Sequence, residues 1–190
     1  MELLEAIRGR RAVRAYTEAE VNREQLTRLI DAAIQAPSAT NAQPWAFAVI
    51  QDRKLLQSCS DRAKAHLLET LKSDSLLSRY RDTLADPAFD IFYQAPALIV
   101  ICARPDTTQA AEDCALAAQN LMLAAHAMGL GTCPIGFARS WLNLPEVKRE
   151  LGIPSDCAPV LPLVVGHPRG PTASHGRNPP HIVSWRPPAS

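Results

Sequence analysis

The 190-residue sequence predicts a single domain that packs helices against one buried sheet, and three segments carry that expectation. An asparagine-capped amphipathic stretch runs from Asn22 to Pro37, an unbroken apolar run from Ala97 to Cys102, and an Ala- and Leu-rich stretch from Asp113 to Met128. The first has the period of a helix on a surface, the second that of a strand covered on both faces, and the third that of a helix buried on most sides. Hydrophobic residues make up 47% and charged residues 21% of the chain, which supports a real core.

In chain order, Leu3, Leu4 and Ile7 lie on one face of a short helix ending near Gly9, followed by Arg10, Arg11 and Arg14. The second helix has Asn22 as N-cap, Gln25 three residues on, apolar positions at Leu26, Leu29, Ile30, Ala33 and Ile34, and Pro37 as its stop. A strand is expected over 46–51 and a helix over 52–71, while 73–90 has weak periodicity and reads as a mobile segment or an irregular surface helix. Gly129 closes the helix over 113–128, and a glycine-containing loop spans 129–136. A helix near 144–151 and a strand near 160–165 follow. The last segment, 167–190, holds six of the sixteen prolines and is expected to be an extended arm.

A net charge of +1 gives no overall field to draw the chain to nucleic acid or an anionic membrane, so any anion site must be local. No apolar run is long enough for a membrane span, the first residues lack a signal-peptide pattern, and a cytoplasmic protein is expected. Cys59, Cys102, Cys114, Cys133 and Cys157 are scattered and odd in number, and read as reduced, buried thiols. No metal site is expected: the cysteines form no C-x-x-C pair, and His66, His126, His167, His175 and His181 lack ligand spacing. His126 reads as a core histidine.

Arg10, Arg11 and Arg14 supply planar, multi-donor cations suited to a phosphate monoester, although a solvated basic face would give the same cluster. Between Pro37 and Pro44, the residues Ser38, Asn41 and Gln43 offer hydroxyl and amide groups that can read the edge of a heteroaromatic ring, or form an ordinary turn. The 129–136 loop lacks G-x-G-x-x-G, and Phe137 follows Gly136 where a P-loop needs Lys, which excludes Rossmann and Walker readings. Trp45, Trp141 and Trp185 read as packing residues, with Trp45 anchoring the first strand, and Phe89, Phe92 and Tyr93 as candidates for substrate contact.

The segments R-R-x-x-R at 10–14, A-P-S-A-T-N-A-Q-P-W at 36–45 and G-L-G-T-C-P-I-G at 129–136, with the late Arg177, resemble the nitroreductase family in order and spacing. The resemblance covers essentially the whole chain. It implies an α+β, nitroreductase-like fold with a mixed, mostly antiparallel sheet flanked by helices and an extended C-terminal arm. It also implies a homodimer with flavin mononucleotide (FMN) at the subunit interface. By position, Arg10, Arg11, the backbone near Ala12 and Arg177 would hold the flavin phosphate, and Arg14 the ribityl chain or pyrimidine edge. Pro37, Ser38, Ala39 and Asn41 would reach the partner's flavin, and Pro134, Ile135 and Gly136 would lie against the ring. Ala12 stands where many members have a hydroxyl, at a cost of about 0.5–1.5 kcal/mol if one hydrogen bond is missing.

The activity implied is a ping-pong transfer of electrons from NADH or NADPH through FMN to a nitroaromatic, quinone or related acceptor, with no side chain assigned as acid, base or nucleophile. Members also carry out dehalogenation and enal or semialdehyde reduction, and a non-catalytic flavin-binding protein is the alternative outside enzymology. The 73–90 segment is the expected lid where such differences would be encoded.

Overall fold

In a computed structural model, residues 1–70, 77–173 and 176–186 are described. Part of the expected lid, 71–76, and parts of the arm, 174–175 and 187–190, lie outside the described residues.

Four strands form one sheet in the order β1-β2-β4-β3, with β1 Trp45–Ile50, β2 Ala97–Ala103, β3 Gly131–Pro134 and β4 Ala158–Gly166. Every strand pair is antiparallel, and a parallel bridge from Ala12 to Thr132 makes the sheet mixed. All seven residues of β2 are buried and it is interior to the sheet, as its β-branched apolar run requires.

Alternation along β2 divides the core. Leu98, Val100 and Cys102 face a cluster with Leu56, Cys59, Ala63 and Leu67 of α3 (Arg53–Thr70), whereas Ala97, Ile99, Ile101 and Ala103 face a second cluster. That second cluster holds Leu26, Leu29 and Ala33 of α2 (Arg23–Ala33) and Cys114, Ala117, Ala118 and Leu121 of α5 (Thr108–Ala127). Each fully buried Leu or Ile contributes roughly 1.5–3 kcal/mol to holding helices on both faces.

Local signals explain the helix ends. Asn22 and Gln25 form a reciprocal capping box at the start of α2. Asp52 accepts from the amides of Lys54 and Leu55 at the start of α3, and the Thr107 hydroxyl accepts from Ala110 at the start of α5. Gly129, at φ +75°, ends α5 in the left-handed conformation that glycine tolerates. The short helices are α1 Leu3–Gly9, α4 Arg81–Ala85, α6 Arg139–Leu142 and α7 Pro145–Glu150.

Several expectations change. Half of the glycine loop is strand β3, because residues 131–134 pair with β4. Helix α5 begins five residues earlier than expected and is buried along one face only, leaving Leu116 exposed in the single chain. His126 on that helix is half-buried, not in the core, with its ring edge against Gly9. The described part of 73–90 includes a turn of 3₁₀ helix (Ser78–Tyr80) and α4, and the buried Leu84 fastens it to the core. Phe92 is fully buried in the core, out of reach of a surface cleft. Trp141 is a core residue, but Trp185 is mostly exposed in the single chain. The five cysteines are free and buried, as expected.

Candidate functional site

The arginine-bearing segment runs along the edge of β3. The Val13 amide donates to the Thr132 carbonyl at 3.0 Å, and the absence of a side chain at Gly131 lets Val13 approach. Further on, Tyr16 bridges Pro168, the Tyr16 hydroxyl donates to the Val13 carbonyl at 2.7 Å, and the Arg169 guanidinium donates from Nε to the Tyr16 carbonyl at 3.1 Å. Residues 10–17 are therefore fixed between β3 and the start of the arm.

This placement gathers charges that are distant in sequence. Arg10 titrates below its ordinary range, first because it is partly desolvated and then because the cations of Arg177 and Arg11 are close. Arg177, at the far end of the chain, has thus come to the arginines that follow α1. Arg11 is partly spent on structure: its Nη1 donates to the carbonyls of Arg8 at 2.6 Å and Arg10 at 2.8 Å, capping the end of α1. It adds charge to the cluster while holding the chain that presents Arg10.

Arg14 lies beside the Cys133 thiol and over the Tyr93 ring, 5.9 Å from its centroid. Burial alone would lower the Arg14 pKa, but Cys133 and Tyr93, which become anions on deprotonation, outweigh it and the net shift is upward. Burial pushes the Cys133 thiol up despite the pull of Arg14, so the protonated thiol is favoured. A cleft of about 250 Å³ opens here, with Arg14, Tyr16, Phe89, Tyr93 and Arg169 among its walls.

Pro134 and Gly136 are exposed at the end of β3, next to this cluster, whereas the Ile135 side chain is buried in the core. The Ile135 amide is also committed, donating to the Pro162 carbonyl at 2.9 Å. Ile135 can therefore meet a flat ligand only through its remaining backbone surface.

Pro37, Ser38, Ala39 and Asn41 belong to a second locus. Their loop has Thr40, Asn41 and Gln43 at φ of +52°, +56° and +48°, conformations that non-glycine residues adopt only when the surroundings impose them. Here the Ser38 Oγ accepts from the Gln43 amide at 2.9 Å, and the Asn41 Oδ1 accepts from Gln43 Nε2 at 3.1 Å. The buried carboxylate of Asp113 on α5 accepts from the Ala39 amide at 3.3 Å. The loop's hydrogen bonds run within itself and to Asp113, so the single chain builds it as an outward-facing ledge.

Sequence reasoning missed Cys133, Asp113, Arg169 and Lys64. Asp113 had a signal, being an acidic residue on the apolar face of an Ala-rich helix, and Lys64 had one too, falling on the buried stripe of Leu56, Ser60, Ala63 and Leu67. Among the described residues no group of His, Cys, Asp and Glu could hold a metal ion, and no helix is long and apolar enough to cross a membrane.

An antiparallel-rich sheet flanked by helices, with an arginine cluster along one edge, makes this an α+β fold. The chain matches the profile of the Nitroreductase family over residues 7–167, and it belongs to that family. It is 29% identical to an FMN reductase [NAD(P)H] of Bacillus subtilis, over 96% of this chain and 72% of that one. It is 27% identical to an iodotyrosine deiodinase of Thermotoga neapolitana, over 93% of this chain and 94% of that one. A nitroreductase with bound FMN from Desulfitobacterium hafniense superposes with a TM-score of 0.80 at 26% identity, covering 94% of this chain and 95% of that one.

Proposed function

We propose that this chain binds FMN and uses it to carry electrons from NADH or NADPH to a nitroaromatic, a quinone or a related small acceptor. The observation that carries the reading is the convergence of Arg10, Arg11 and Arg177, whose mutual repulsion a dianionic phosphate would relieve. The donor set fits such a group: two guanidiniums from one end of the chain, one from the other, and the exposed backbone of Gly136 nearby. The names of the B. subtilis and D. hafniense relatives support the same cofactor and donor.

Bound there, FMN would supply the redox chemistry, accepting two electrons as hydride and passing them on. The chain's own residues do the rest. Arg10, Arg11 and Arg177 hold the phosphate. Arg14 directs its charge at the ribityl chain or pyrimidine edge, where it stabilises negative charge on the reduced ring. The backbone at Ala12, and Pro134, Ile135 and Gly136, support the ligand along the sheet edge.

The active form we propose is a homodimer. Met1, Leu3, Leu4 and Ile7 of the N-terminal segment and Leu116 of α5 are exposed apolar side chains in the single chain, as are Ile182, Val183 and Trp185 of the arm. In the dimer, the ledge of Pro37, Ser38, Ala39 and Asn41 would reach the partner's flavin. Residues 1–190 act as one domain with 167–190 as the arm, and the five free, buried thiols suit a reducing cytoplasm.

A second reading keeps the cofactor and changes the acceptor to a halogenated aromatic, and the near full-length similarity to an iodotyrosine deiodinase favours it. Anaerobic addition of NADH or NADPH to the purified yellow protein tests both. Rapid bleaching, then reoxidation by a nitroaromatic or quinone, is the expected result. Reoxidation by iodotyrosine alone would move the assignment to the second reading. A yellow protein that neither donor bleaches would be a binder, and a colourless one that takes up no FMN would end the proposal.

A further inference from the structure

The turn over residues 86–94 is braced from three sides. Lys64 is buried on α3, and its ammonium donates to the carbonyls of Phe89 at 2.6 Å and Asp86 at 3.3 Å, with Asp61 at 3.4 Å as its counter-ion. The Ser60 Oγ, one helical turn away and fully buried, accepts from the Ile91 amide at 3.0 Å. Asp90 closes the turn on itself, its two oxygens accepting from the amides of Phe92 and Gln94, each at 2.8 Å.

The product of this bracing is an uncommon backbone. Tyr93 and Gln94 sit at φ +56° and +55°, two consecutive non-glycine residues in the left-handed region, a conformation that persists only where the surroundings impose it. The strain turns Tyr93 out of the core that receives Phe92 and brings its ring beneath the Arg14 guanidinium. Phe89 supports the ring edge-on at a centroid distance of 6.0 Å. The phenol lies close enough to the same guanidinium for the two to interact electrostatically.

We infer that Tyr93 is a positioning residue for Arg14: the α3 brace and the Asp90-closed turn hold its ring and hydroxyl where they keep that cation facing the flavin edge. The inference rests on the proposed role of Arg14. A mobile arginine beside a solvent-exposed ring loses most of its field to screening, whereas one stacked on a braced ring retains more of it. The cation favours the negatively charged reduced flavin, so its placement sets the redox potential.

The test compares Tyr93→Phe, Tyr93→Leu and Arg14→Gln in the FMN-loaded protein, with midpoint potentials read by dye equilibration and folding checked by circular dichroism. Arg14→Gln is expected to lower the preference for reduced over oxidised flavin about tenfold, which for a two-electron couple is about 30 mV. Tyr93→Leu should reproduce most of that fall and Tyr93→Phe a smaller part. In the flavin-free protein, NMR relaxation of the Arg14 Nε–H should report an ordered group in the unmodified chain and a mobile one in Tyr93→Leu. A potential unmoved by Tyr93→Leu while Arg14→Gln shifts it would overturn the positioning role alone. An unmoved potential in Arg14→Gln would remove the role of Arg14, and the inference with it.

Discussion

Gly131 and Val13 are in forced contact: a methyl carbon built on Gly131 would stand 2.7 Å from the Val13 Cβ. This one approach seats the arginine segment on β3, because the Val13 amide bonds to Thr132 immediately beside it. Gly131→Ala is therefore expected to lose about 1–3 kcal/mol of stability through overpacking. It should also weaken FMN binding, since residues 10–14 must lift from the sheet edge. Urea denaturation and fluorescence titration with FMN check the two effects, and unchanged FMN affinity would separate the seating of Val13 from the anion site.

Arg177 should matter to the phosphate and not to the ring. Losing one charged hydrogen-bonding group costs about 1.5–3 kcal/mol. Arg177→Gln should thus weaken FMN roughly tenfold to a hundredfold and leave riboflavin affinity unchanged. Parallel titrations with the two ligands decide it, and equal losses for both would point to general damage of the arm.

Leu116 is 47% exposed on α5 and, with Met1, Leu3, Leu4 and Ile7, is among the apolar side chains that the proposed dimer would cover. Leu116→Glu is expected to yield a monomer by analytical ultracentrifugation and to release flavin. A dimer that persists with its flavin would locate the interface elsewhere.

Burial pushes the thiols of Cys59 and Cys114 up to about 11 and that of Cys102 up to about 12. Unfolding returns them toward the ordinary value of 9.0, so above that pH the unfolded chain holds fewer protons than the folded one. Stability is then complete below about pH 9 and falls as the pH climbs toward 12, with a slope of up to about 1.4 kcal/mol per pH unit for each thiol. Urea midpoints measured from pH 7 to 10.5 should show the decline beginning near 9, and Cys102→Ala should make it shallower.

Lys64 is expected to be costly to remove. Lys64→Met would take the ammonium from the Phe89 carbonyl, while the Asp86 carbonyl keeps the Phe89 amide at 3.1 Å, and lower stability by about 1–3 kcal/mol. Hydrogen exchange should then accelerate at the amides of Phe92 and Gln94, and slow exchange there would mean that Asp90 suffices to hold the turn.

Much of the architecture was legible because it rests on local rules. The capping box at Asn22 and Gln25, the unbroken run of β2 and the helix-ending Gly129 each carry their own signal in a few adjacent residues. The arginine cluster was legible only by resemblance to the nitroreductase family, since nothing local brings residue 177 to residue 10. Three features were hidden for a physical reason. Strand β3 is four residues of mixed character that become a strand only by pairing with β4. The left-handed Tyr93 and Gln94 follow from Lys64 and Ser60, about thirty residues upstream. The side chain of Ile135 turns inward because the core of α3, α6 and α7 has room for it, and a motif read as a flat ligand platform does not encode that choice.

The bridge from Ala12 to Thr132 has a consequence for solubility. Strand β3 ends the sheet on one side, and an uncovered border strand is a template on which other chains can stack. Here the residues that present the arginines proposed to hold the phosphate also shield that border, so a lesion that peels them away would expose a sticky margin as well as disturb the proposed site. Variants in this stretch should therefore precipitate as readily as they lose FMN.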